Sequence, residues 1–116
     1  MNKPADREPV RISVTVRGFD LDVATAKRIE AALDRMRRFE PLVSGVDAVF
    51  TSDKRGFRAE ALATIDRQPS VRARAAAGDP RTAFDRLEEK LRAQLTKQRD
   101  RRKARRFGSP TARRGG

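Results

Sequence analysis

Hydrophobic and polar residues alternate along this chain with two different periods, and the switches between them mark out six elements. Val10, Ile12, Val14 and Val16 alternate with Arg11, Ser13, Thr15 and Arg17. That period of two predicts a strand with one buried face, ended by Gly18. Asp22 is a good helix N-cap, and behind it Ile29, Ala32, Leu33 and Met36 recur at helical spacing. The pattern predicts a helix reaching to about Arg38, with Pro41 and Gly45 bracketing the exit loop. A second strand is predicted near residues 46–51, with Val46, Ala48 and Phe50 on one side. Asp53-Lys54-Arg55-Gly56 has the composition of a hairpin turn. After it Phe57, Ala59, Ala61, Ala63 and Ile65 face in, while Arg58, Glu60 and Thr64 face out. Asp66-Arg67-Gln68-Pro69 is predicted to turn the chain once more, and Val71, Ala73 and Ala75 line a fourth strand opposite Arg72 and Arg74.

The last element is the clearest. Asp79 caps it and Pro80 takes the first helical position, where a missing N–H costs nothing. Phe84, Leu87, Leu91 and Leu95 follow at spacings of three and four. No Pro or Gly stands between Lys97 and Gly108, so nothing local stops the helix from continuing. The order is β-α-β-β-β-α. A crossover helix between neighbouring strands makes them parallel and places the helix on one face by the right-handed rule. With one apolar face per strand, both helices belong on that face. The predicted fold is therefore an α+β two-layer sandwich, a four-stranded sheet with two helices on one face.

Composition limits the chemistry more than the fold. The 116 residues make one small domain, and 17 of its apolar residues are Ala, so the core is built from few large side chains. There is no Cys, His, Trp or Tyr. Zinc sites, Ser–His–Asp triads, haem ligation and disulfides therefore have no residues to use. No Gly-rich phosphate loop is present. Asp85 and Glu89 could approach one cation, but two carboxylates alone make a poor site. The reading is a non-enzymatic protein with no catalytic residue, metal or cofactor and no small-molecule substrate. No apolar run is long enough for a bilayer and no secretion signal is visible, so a cytoplasmic protein with no membrane partner is expected.

Charge then supplies a partner. The formal net charge is +12. Residues 1–96 hold 19 basic and 15 acidic side chains, whereas residues 97–116 hold nine basic residues and Asp100 alone. Such a block repels itself and marks either a solubilising tail or a polyanion-binding extension. On a helical wheel of the second helix, Arg86, Lys90 and Lys97 fall on one flank of the apolar arc, and Arg81, Arg92 and Arg99 on the other. On the first helix, Lys27 and Arg38 point away from the apolar stripe, with Arg28 and Arg35 beside them. Arg101, Arg102 and Lys103 continue the basic run. Together these make nucleic-acid binding the better explanation. No aromatics interleave with the cations, so recognition of folded RNA by shape and phosphate fits better than base stacking.

One stretch resembles a known family. Ala83-Phe84-Asp85-Arg86-Leu87-Glu88-Glu89-Lys90-Leu91-Arg92-Ala93-Gln94-Leu95-Thr96-Lys97 is similar to the second helix of the ribosome hibernation promoting factor / ribosome-associated inhibitor family, with Asp79 matching the acidic residue before it. Arg58-Ala59-Glu60-Ala61 resembles that family's third strand, and Leu33, Arg35, Met36, Arg38 and Phe39 the end of its first helix. The resemblance covers roughly residues 10–98 and includes the β-α-β-β-β-α order. It implies a stress and stationary-phase inhibitor of translation. Such a protein sits on the small ribosomal subunit between head and body, covers mRNA and tRNA positions, and protects idle ribosomes. By matched position Arg35, Arg38, Lys90 and Lys97 would contact rRNA. Longer members carry a second domain that pairs ribosomes, so this chain resembles a short form, a monomer off the ribosome.

The expected organisation is a flexible N-terminus over residues 1–9, a ribosome-binding α+β domain over 10–98, and a basic, largely disordered tail over 99–116. Two other readings stay open: a protein-interaction module that regulates a transcription factor, and a general binder of double-stranded RNA or DNA.

Overall fold

The computed structural model describes residues 8–106. Strand β1 (Arg11–Arg17) leads through helix α1 (Val23–Asp34) and a single 3-10 turn (Met36–Arg38) into β2 (Val43–Asp53). Strands β3 (Gly56–Ile65) and β4 (Gln68–Ala77) follow as a meander, and helix α2 (Pro80–Arg106) closes the fold. The sheet order is β1-β2-β3-β4. β1 pairs parallel to β2, from Arg11 opposite Gly45 to Arg17 opposite Thr51, as the crossover helix requires. The other two pairings are antiparallel. This is the expected two-layer α+β arrangement, with α1 against β1 and α2 against β3 and β4.

Alternation decides which face is covered. Val46, Ala48 and Phe50 of β2, Ala59, Ala61, Ala63 and Ile65 of β3, and Val71, Ala73 and Ala75 of β4 are all buried, while their neighbours point to the open face. Alanines fill the inner face of β3 and β4, so α2 lies close against the sheet, with the Phe84 ring 6.2 Å from that of Phe50. Leu87, Leu91 and Leu95 of α2 and Ile29, Leu33 and Met36 from the first helical segment are fully buried between the layers. Burying an aliphatic or aromatic side chain of this size contributes about 1.5–3 kcal/mol. β1 is an edge strand, and its inward residues Ile12 and Val14 are only partly covered.

Both helices start as expected. The Asp22 carboxylate accepts from the Thr25 backbone N–H at 2.7 Å and from its hydroxyl at 3.1 Å. Asp79 accepts from the Thr82 N–H at 2.8 Å and its hydroxyl at 2.9 Å. Each cap thus satisfies a helix N–H that has no intrahelical acceptor.

Four boundaries differ from the sequence pattern. The α-helix stops at Asp34, and the chain tightens into the 3-10 turn, where Arg38 N–H donates to Arg35 and Phe39 N–H to Met36. This i→i+3 bonding satisfies the last carbonyls while keeping Met36 inside. β2 extends beyond 46–51 in both directions, because Val43 pairs with Ile65 and Asp53 with Gly56. The turn after β3 has two residues rather than four, Asp66 and Arg67, the latter at φ +58°. Pro69 lies inside β4. Ala63 faces Val71 while Ile65 faces Gln68, so β4 carries an extra residue there, and a bulge tolerates the missing N–H of proline. Finally, α2 runs without a break through the expected boundary at residue 98, so residues 99–106 are helical. The remainder of the expected tail, 107–116, and residues 1–7 lie outside the described residues.

Candidate nucleic-acid interface

The helix layer carries the cations. α2 runs antiparallel to β4: Arg86 reaches Ala76, Lys90 reaches Arg74, and Gln98 reaches Gln68. It runs parallel to α1, since Arg28 meets Asp85 and Arg92 lies over the Phe39 ring, 5.7 Å from its centroid. Basic side chains from both helices therefore border one surface, on the side of the molecule opposite the open sheet face.

The cations predicted from the sequence divide into two groups. Lys27, Arg35, Arg38, Arg81, Lys97 and Lys103 are exposed and have no partner among the described residues. The others are engaged internally. Arg28 pairs with Asp85 at 3.3 Å, both side chains about half exposed, so the pair is worth little and opens easily. Arg86 donates to the Ala76 carbonyl at 2.8 Å and Lys90 to that of Arg74 at 3.0 Å. These two cover free carbonyls on the outer edge of β4, which would otherwise offer themselves to another strand. Arg99 pairs with Asp100 at 3.2 Å, and Arg101 donates to the Gln98 side chain at 3.3 Å.

Arg102 departs furthest from its expected role. Its side chain is only 15% exposed, against 0% for its partner Glu40. Nη2 donates to Glu40 Oε1 at 2.7 Å and Nε to Oε2 at 3.1 Å, a two-point guanidinium–carboxylate pair. The hydrogen bonds to Glu40 raise the Arg102 pKa above its ordinary value. Glu40 Oε1 also accepts the Leu42 N–H at 3.1 Å. Arg102 is thus held within the fold by Glu40. The sequence did hold a signal for this. Counting on from Leu91 and Leu95 by threes and fours reaches Gln98, Arg102 and Arg105, so the inward stripe turns polar instead of ending. Gln98 is buried, and both it and Arg105 bond the Gln68 side chain at 3.1 Å.

Sequence reasoning also passed over the open sheet face. Arg17, Thr51, Arg58, Glu60 and Arg74 line a shallow cleft there. Arg58 is paired to Asp53 at 2.9 Å and Arg74 to Glu60 at 3.1 Å, so the cations of this face are largely offset by acids. Among the described residues no three carboxylates gather as a metal site, and no helix is long and apolar enough to cross a membrane.

Residues 12–103 match the family described as sigma 54 modulation protein / S30EA ribosomal protein. The chain belongs to this family. Among solved structures, a ribosomal subunit interface protein from Coxiella burnetii is similar at 25% identity and TM-score 0.68, over 76% of this chain and 96% of that one. The N-terminal domain of Thermus thermophilus Protein Y shares the fold at TM-score 0.65 and 20% identity, over 76% of this chain and 98% of that domain. No curated protein sequence matches this one. As a member of the S30EA family the chain has the β-α-β-β-β-α order, and its α2 carries both the family-like stretch from Ala83 to Lys97 and the basic extension beyond it.

Proposed function

We propose that this protein is a hibernation factor that binds the small ribosomal subunit near the decoding region and blocks mRNA and tRNA positions. The observation that carries the reading is the family match over residues 12–103 on a chain whose helix layer holds six unpartnered cations among the described residues. The ribosomal subunit interface protein of similar fold supports the same partner. Folded rRNA offers dense phosphate to such a surface, and contacts to phosphate position a protein without reading sequence. Arg35, Arg38 and Lys97, with Lys27, Arg81 and Lys103, carry these contacts. Arg28, Arg86, Lys90 and Arg92 join by exchanging weak internal bonds for phosphate. The mechanism is occlusion: a rigid sandwich fills the decoding region, works in the cytoplasm as a monomer off the ribosome, and performs no reaction.

Gradient sedimentation tests this. The protein travels with small subunits and intact ribosomes, and protects rRNA bases near the decoding site from chemical probes. Binding to any duplex RNA with no preference for ribosomes refutes it. A stoichiometric complex with a protein that survives nuclease treatment points instead to a regulator of another protein.

A further inference from the structure

Helix α2 outruns the strand beneath it. Its 27 residues span about 40 Å at 1.5 Å each, whereas the ten residues of β4 span about 33 Å. Gln98 already bonds Gln68, the first residue of β4, so the helix beyond it has no strand left to pack on. That overhang is also the most self-repelling part of the chain, with Arg99, Arg101, Arg102, Lys103 and Arg105 in seven residues. Propensity alone would fray it. Besides the Gln68 side chain, which accepts from Arg105 at 3.1 Å, what meets it is the buried Glu40, which immediately follows the C-cap of the 3-10 turn.

Every polar group of Glu40 is in use. Its N–H donates to the Met36 carbonyl at 3.2 Å, its carbonyl accepts from Val43 at 3.1 Å, and its carboxylate accepts from Leu42 and twice from Arg102. A carboxylate with no solvent exposure must be paired, and Arg102 is the only charged donor that reaches it among the described residues. The two residues are 62 positions apart in the chain. Their pairing fixes the end of α2 beside the 3-10 turn, which Arg35 precedes and Arg38 ends. Arg92, on the same flank of α2 as Arg99 and Lys103, lies over the Phe39 ring that follows the turn.

We infer that Glu40 and Arg102 form an internal strut that assembles one rRNA-binding patch from two distant segments, and that Arg102 acts by positioning rather than by touching phosphate. The inference rests on the ribosome-binding reading above. The strut stiffens the helix end, so the free Lys103 and the weakly paired, neighbouring Arg99 are held ready and little ordering remains for the moment of binding.

The full chain is compared with Glu40→Gln, with Arg102→Met, and with the double variant Glu40→Leu/Arg102→Met, which replaces the ion pair by an apolar contact. Two quantities are read: amide hydrogen exchange along α2, and affinity for purified small subunits across a salt series. In either single variant, exchange at residues 99–105 quickens by about one to two orders of magnitude, while residues 84–95 keep their protection. Affinity falls roughly tenfold because the ordering cost returns. The double variant recovers most of both, with the wild-type salt slope, although it lacks the arginine. Unchanged exchange in the single variants overturns the strut. A double variant that binds as poorly as Arg102→Met, with a slope shallower by about one, shows Arg102 to be a phosphate ligand and overturns the positioning role. If the wild-type protein fails to bind small subunits, the ribosomal reading falls, and the exchange arm still decides whether the strut exists.

Discussion

Raising the salt concentration is the perturbation that most directly interrogates the phosphate contacts proposed for the helix layer. Lys27, Arg35, Arg38, Arg81, Lys97 and Lys103 are free of partners among the described residues. Each phosphate they neutralise releases condensed counterion and contributes about −0.9 to the slope of log affinity against log salt. If all six engage, the slope is about −5, and affinity falls by roughly three orders of magnitude between about 50 and 200 mM salt. Internally bonded Arg28, Arg86, Lys90 and Arg92 steepen it to the extent that they let go of Asp85, Ala76, Arg74 and Phe39. The assay is a titration of fluorescently labelled protein with small subunits at several salt concentrations. Substituting Lys27, Arg38 and Lys97 together by Ala flattens the slope by about 2.7, whereas Arg17→Ala on the open sheet face leaves it unchanged. A wild-type slope shallower than about −2 refutes phosphate-dominated docking. So does an Arg17→Ala effect as large as that of the triple variant.

Three further outcomes follow from packing and capping. Leu91→Ala, at a position with no exposure, lowers unfolding free energy by about 2–5 kcal/mol in urea melts, because the lost contacts leave a cavity between α2 and the sheet. Ala61→Leu destabilises by about 1–3 kcal/mol in the same melts despite being more hydrophobic, since α2 lies too close to accept the larger side chain. Thermal stability falls in acid as the two N-caps titrate. The hydrogen bonds from the Thr25 and Thr82 backbone N–H groups, then from the threonine hydroxyls, hold the Asp22 and Asp79 carboxyls below the usual range. A carboxyl whose folded pKa is depressed gives its full stabilisation above the unfolded value near about 3.9 and loses it as pH falls through the lower folded value. Replacing both by Asn, which still caps, flattens the melting temperature against pH below about 4, and an unaltered acid profile refutes the assignment.

Much of this protein was legible in its residue pattern, and the failures share a cause. The spacing of Phe84, Leu87, Leu91 and Leu95 and the alternation in β3 named the buried residues, apart from Phe57, which is only partly covered, because a residue's face is set by local periodicity. Asp22 and Asp79 announced the helix starts for the same local reason. Boundaries were poorer where tertiary pairing overrode local pattern. Pro69 reads as a turn residue, yet a bulge against β3 carries it inside β4. Among the cations, charge and wheel position identified exposed candidates but not their partners. Arg86 and Lys90 look like free surface charges until the β4 edge carbonyls come within reach.

By itself, then, the sequence determined the order of elements, the two-layer architecture, the absence of Cys and His, and an excess of positive charge of the kind that suits a polyanion. These depend on periodicity, composition and net charge, which are properties of neighbours along the chain or of the chain as a whole. Tertiary structure alone decided which basic residues stand free at the surface and which are bonded within the fold. Glu40 looks like any exposed loop acid, and Arg102 like one more charge in a basic tail. Only when α2 overhangs the sheet and the 3-10 turn folds beside it do the two meet where the Glu40 side chain has no solvent exposure, so that its carboxylate has to be paired. That pairing extends the ordered helix through residues that composition alone assigns to a disordered tail.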